Sequence, residues 1–125
     1  MNYIAQSEKS FEEVLEILKA EITANGFRLL HIHDLKKTLG EKGFEIENYS
    51  ILEICNAAFA YQLLSEDKEF GSMLPCRINL YEQRGKVWIS TLLPTELIER
   101  FEMPAAEEIA KKVEVVLKKI IDSSI

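Results

Sequence analysis

The chain has 125 residues with 21 acidic against 15 basic side chains, and its net charge of −6 argues against a nucleic-acid backbone as partner, because that affinity is built on clustered Lys and Arg. A hydrophobic fraction of 47% with only five Gly and three Pro excludes a disordered chain and fits a single domain over 1–125 that buries its own core. No apolar run reaches the roughly 18 to 20 residues that cross a bilayer, Met1 to Gln6 lacks a basic stretch leading into an apolar one, and the isolated Cys55 and Cys76 form no disulfide framework, so a cytoplasmic protein is expected.

Asn2 to Gln6 alternates as a short first strand. Ser10-Phe11-Glu12-Glu13 then supplies a capping box, and Phe11, Val14, Leu15, Leu18 and Ile22 recur at helical spacing as a core stripe that Asn25-Gly26 ends. Phe27 to His33 reads as a second strand, Asp34 as the cap of a short helix through Leu39, and Gly40 and Gly43 as the punctuation of a loop. Tyr49 to Cys55 is a third strand. Asn56 caps a helix with the stripe Phe59, Ala60, Leu63 and Leu64, and Gly71-Ser72 breaks the chain.

Cys76 to Thr91 then reads as a β-hairpin entered through Pro75. Pro94 to Phe101 forms a helical turn, and Pro104 opens a last helix whose stripe is Ile109, Val113, Val116, Leu117 and Ile120. Its Lys111-Lys112 and Lys118-Lys119 pairs, interleaved with Glu and aliphatics, read as a solvated face. A tight hairpin among mixed strands and helices favours an α+β domain with a largely antiparallel sheet and helices on one face.

A hairpin turn at Arg84-Gly85 pairs Tyr81 with Trp88, Leu80 with Ile89, Asn79 with Ser90 and Ile78 with Thr91. Alternation then places Cys76, Ile78, Leu80, Val87, Ile89 and Leu93 under the helices, joined by Leu30, Ile32, Leu52 and Ile54. The opposite face collects Arg77, Asn79, Tyr81, Trp88, Ser90 and Leu92, with Leu29, His31 and His33 from the second strand and Ile51, Glu53 and Cys55 from the third. Such a face is an ordinary solvent face, a dimer interface, or a shallow ligand site in which Tyr81 and Trp88 form an aromatic floor, Arg77 offers a fork to an anion, and Asn79 and Ser90 add polar contacts.

Two further chemistries are open. His31 and His33, at i and i+2 on one strand, aim the same way, and Glu53 or Cys55 from a neighbouring strand would complete a set for zinc or another transition metal. Cys76, at the entry to a strand beside Arg77, is a candidate reactive thiol for redox or sulfur chemistry, although alternation points Arg77 to the other face and no His lies nearby to act as base. Phosphate-binding glycine loops and hydrolase motifs are absent, and Glu12, Glu13, Glu16 and Glu21 form no acid/base pair.

The segments Ile51-Leu52-Glu53-Ile54-Cys55-Asn56, Leu74-Pro75-Cys76-Arg77-Ile78 and Gly85-Lys86-Val87-Trp88 resemble the bacterial and archaeal domain-of-unknown-function family 302, with agreement from Phe11-Glu12-Glu13-Val14 to the last helix. The chain departs from that pattern at Ala57, where the family usually has proline. The resemblance implies a TATA-box-binding-protein-like fold, a curved antiparallel sheet with helices on one face, and a homodimer. It supplies no activity, and a fold name does not carry DNA binding with it. The expected function is therefore a small cytoplasmic binding or accessory module that uses its uncovered sheet face for a small ligand, a metal or a partner subunit; the alternative is a redox or sulfur-handling protein built on Cys76.

Overall fold

Among the described residues, 2–99 and 101–125 of a computed structural model, strands β1 (Asn2–Ser7), β2 (Arg28–Asp34), β3 (Tyr49–Cys55), β4 (Cys76–Gln83) and β5 (Lys86–Leu92) form one antiparallel sheet in the order β1-β5-β4-β3-β2. Helices α1 (Phe11–Ala24), α2 (Leu35–Gly40), α3 (Ala57–Glu66), α4 (Pro94–Ile98) and α5 (Pro104–Asp122) connect or follow them. The fold is the expected α+β class. Met1 and, within the expected turn at Pro94 to Phe101, Arg100 lie outside the described residues.

The helix starts obey their side-chain caps. Ser10 Oγ accepts the Glu13 amide at 3.2 Å, Asp34 Oδ1 the Lys37 amide at 3.1 Å, and Asn56 Oδ1 the Phe59 amide at 3.0 Å, each satisfying an amide that the first helical turn leaves without a partner. On α1 the buried stripe is Phe11, Val14, Leu18 and Ile22. On α5 it is Ala106, Ile109, Ala110, Val113, Leu117, Ile120 and Ile121. These meet Leu52, Ile54, Ile78, Leu80, Val87 and Ile89 from the inner face of the sheet, each at most 5% exposed.

Two elements differ from expectation. The segment Lys68–Met73 is a 3-10 helix that buries Phe70 completely against Phe101, with ring centroids 4.6 Å apart; its three-residue period hides it from a search for amphipathic α-helix. In β2 the pairing with β3 slips by one residue between Leu29 and His31, a β-bulge. Leu29 opposite Ile54 therefore packs on the core, while Leu30, expected inside, stands 49% exposed. Two residues opposite one restore the alternation beyond the bulge, so Ile32 still faces the core and His31 and His33 still face outward. Leu64, placed in the α3 stripe, is 39% exposed because only Leu63 of that helix is fully buried.

The β4–β5 register is the expected one, with Tyr81 opposite Trp88, Leu80 opposite Ile89 and Asn79 opposite Ser90. The turn puts both central residues at positive φ, 55° for Arg84 and 74° for Gly85, the type I′ geometry whose twist matches the flanking strands. Gly85→Ala should lower unfolding free energy by about 1 to 2 kcal/mol, since an L side chain is disfavoured there. Arg84→Asn should leave stability unchanged or raise it by a few tenths, Asn being the residue best suited to that position. Urea unfolding of the two variants checks this; equal effects would contradict the turn assignment.

Candidate functional site

The face of the sheet opposite the helices is assembled by cross-strand pairing. One row runs His31, Glu53 and Arg77 across β2, β3 and β4, while Leu92 on β5 pairs with Asn2 on β1. The next, toward the β4–β5 turn, runs His33, Ile51, Asn79, Ser90 and Ile4, and the one after it Tyr49, Tyr81, Trp88 and Gln6. Arg28 stands opposite Cys55 at the other end. Charge is therefore concentrated at one end of the face and aromatic surface at the other, with Asn79 between them.

At the charged end, His33 Nε2 and Glu53 Oε1 lie 2.6 Å apart, which requires the Nε2 proton to point at the carboxylate. His31 packs edge-on against His33, ring centroids 4.5 Å apart. Arg77 and Arg28 are exposed and enter no ion pair among the described residues. Glu53 thus pairs across the strands with His31 and Arg77 and accepts from His33, in a protein whose net charge is −6.

Of the four expected ligands, His33 contacts both Glu53 and His31. Among the described residues no three His, Cys, Asp or Glu side chains are grouped to hold a metal ion. Glu53 Oε1 accepts from His33 Nε2. What the structure shows at these positions is a His33–Glu53 hydrogen bond with His31 packed edge-on against His33.

At the aromatic end Tyr81 stacks on Tyr49, with centroids 5.2 Å apart and rings inclined by 10°. Burial raises the Tyr49 phenol above its ordinary value, with Tyr81 adding to the effect, so it stays protonated. Trp88, half-buried beside Tyr81, donates its indole N–H to the Gln83 carbonyl at 3.3 Å. Ser90 is only 2% exposed and its Oγ accepts from Asn79 Nδ2 at 3.1 Å. It thereby helps orient the Asn79 amide. Arg28 and Tyr49 were absent from the expected site: the bulge hides the outward placement of Arg28, whereas Tyr49 has the same parity as Ile51, Glu53 and Cys55 and was readable on that ground.

Cys76 lies on the helix side. It stands opposite Ile54, packs against the core, and lines a pocket of about 220 Å³ at the end of the sheet where β4 enters. Burial pushes its thiol from 9.0 up to about 11, the neighbouring Cys55 adds to the rise, and Arg77 offsets it only in part. The environment is thus opposite to the electropositive, accessible setting that makes a thiol reactive. Both cysteines are free.

The family model described as "Domain of unknown function DUF302" matches residues 3–124. The fold is similar to that of a crystal structure described as uncharacterized conserved protein DUF302 from Bacillus stearothermophilus, at 30% sequence identity and a TM-score of 0.95, covering 99% of this chain and 98% of that one. No curated protein matches the chain. Among the described residues no helix is long and apolar enough to cross a membrane.

The thiol's protonation has two measurable consequences. A rise from 9.0 to about 11 leaves a thiolate fraction about a hundredfold below that of an ordinary cysteine. At pH 8 iodoacetamide should label Cys76 at least about a hundred times more slowly than a peptide cysteine, and urea should abolish the difference. Because folding raises this pKa, the native state holds the proton more tightly; the resulting stability is present below the unfolded value and is lost as pH climbs toward about 11. Tyr49, raised by burial, acts in the same direction. Cys76→Ala should therefore flatten part of the alkaline decline in stability, and an unchanged profile would contradict the burial assignment.

Proposed function

The chain belongs to the DUF302 family, and from that premise we propose that it is a binding module whose uncovered sheet face takes a small anion bearing a planar ring. The observation that supports this reading is the set of cationic and imidazole side chains near Glu53, with His31 and Arg77 opposite it, His33 hydrogen-bonded to it and Arg28 opposite Cys55 on the same strand, in a chain of net charge −6. Arg77 presents a planar fork suited to a carboxylate or phosphate. Four residues along β4, roughly 13 Å at the rise of an extended strand, the Tyr81 ring offers a stacking surface. Asn79, aimed by Ser90, lies between the two. An elongated molecule with its charge at one end and its ring at the other matches that strip, and the half-buried indole of Trp88 lies beside the ring end.

Trp88 is the sole tryptophan of the chain, so its fluorescence reports on this face. Titration with adenosine monophosphate should change it saturably, more tightly than inorganic phosphate does. Arg77→Ala should weaken adenosine monophosphate at least tenfold, about 1.4 kcal/mol, and added salt should weaken it further because the site is exposed. Equal affinity in wild type and Arg77→Ala would overturn the reading.

A second reading, a homodimer through the same face, is favoured by the aliphatic surface near β1 and β5. Ile4 is 55% and Leu92 50% exposed, and they flank Ser90 and Asn2 in adjacent rows. Side chains of this size left half in water by the fold each carry apolar area that a second copy would remove from solvent. Ile4→Lys combined with Leu92→Lys should shift a dimer to monomer in sedimentation velocity while leaving far-UV dichroism unchanged. A dimer that persists would place the interface elsewhere.

A further inference from the structure

We infer that the pocket at the end of the sheet is a second binding site, separate from the open face and selective for a small, neutral, apolar molecule of about the size of a substituted benzene. It sits between the helix layer and the ends of β3, β4 and β5, with walls from α3, the Lys68–Met73 turn, α4 and α5. Phe27, Phe59, Leu63, Leu74, Val113 and Leu117 supply its apolar surface. Its volume, about 220 Å³, exceeds the roughly 150 Å³ of an apolar cavity that stays dry and admits benzene. It falls below the roughly 300 Å³ at which drug-sized sites begin. Those two bounds set the size of the occupant.

The polarity of the occupant follows from the partners already taken. Asn56 uses its amide N–H on the Gly26 carbonyl at 2.9 Å and its carbonyl on the Phe59 amide at 3.0 Å. Thr91 donates its hydroxyl to the Arg77 carbonyl at 2.7 Å, and Asn79 its amide to Ser90. Arg77 borders the pocket at the strand end, and its position in the sheet pairs with Glu53. Among the described residues no buried side-chain nitrogen or oxygen lacks a partner. Asn56, Asn79 and Thr91 are thus already engaged and only Ser72 and Arg77 add further polar lining, so an ion entering would recover little of its hydration. The Cys76 thiol, on the inner face of the sheet, adds a soft and weakly polar contact. A neutral ring meets none of these penalties and gains the apolar area of the wall.

Toluene and benzoate, alike in shape and differing in charge, test this. In methyl-resolved NMR toluene should shift the Leu63, Val113 and Leu117 methyl groups saturably, with benzoate at least tenfold weaker at those positions, and toluene should slow alkylation of Cys76 at pH 9. Ala60→Leu, which adds a side chain to the pocket wall, should weaken toluene at least tenfold; if that variant fails to fold, Cys76 protection in the wild type decides alone. Tyr81→Ala, at the ring end of the open face and outside the pocket lining, should leave toluene binding unchanged, which keeps the two sites distinct. Benzoate binding as well as toluene, shifts spread over surface methyl groups without saturation, or no protection of Cys76 would each overturn the inference.

Discussion

The two-residue turn at Arg84-Gly85 determines how β4 pairs with β5, and β4 is the middle strand of the sheet, so its register is passed to the rest. Side chains alternate along a strand with a period of two, and a slip of one residue would carry every inward group outward. Ile78, Leu80, Val87 and Ile89, each at most 5% exposed, would then face water, at a cost of about 1.5 to 3 kcal/mol apiece. Four such losses are of the same order as the whole stability of a small domain. No arrangement of the polar face could compensate for that. The placement of Arg77, Asn79, Tyr81 and Trp88 on one surface is thus a by-product of burying their sequence neighbours.

The edges of the sheet need separate support, because β1 and β2 each have a partner on one side only. Tyr3 on β1 donates its hydroxyl to Asp122 at the end of α5 at 2.6 Å, a bond that holds the phenol above its ordinary value, and the Lys118 ammonium lies 5.3 Å from the centre of the Tyr3 ring. Lys9 reaches the Ile125 carbonyl at 2.8 Å. These contacts are exposed and individually weak, but they join the first strand to the last helix across almost the full length of the chain. On the other edge the bulge at Leu30 twists β2, which is one way an edge strand is kept from pairing with another chain.

Where sequence patterns and structure agree, a single periodicity was at work over a long enough segment. The hairpin, β3 and α5 all have clean alternation or helical spacing, and their inward faces were legible. Leu29-Leu30 was not, because two identical aliphatics give alternation no means of locating the extra residue of a bulge. Phe70 was missed because a six-residue 3-10 turn has too few repeats to declare an amphipathic period. Ser90 shows the limit of parity, which says which side a hydroxyl points to, whereas its burial, only 2% exposed, depends on neighbours from other strands. The pocket was invisible for a similar reason. Its walls come from the ends of elements far apart in the chain, and no local pattern marks a shared edge.

Cys76 and Arg77 show how the same alternation separates two chemistries at adjacent positions. One backbone step turns the thiol inward to Ile54 and the guanidinium outward to Glu53. The thiol meets an interior that penalises charge, and its proton is held to about pH 11. The guanidinium, which cannot release its proton in a protein, is placed where water and a carboxylate can accompany it. Arg77 does oppose the rise in the Cys76 pKa, so some field crosses the backbone, but burial dominates. A protein needing a reactive thiol would bring the cation and the sulfur to one side. Here the strand keeps them apart, so the inner side stays neutral and apolar while the guanidinium stays outside, and Leu74-Pro75 leads into the neutral side through Cys76.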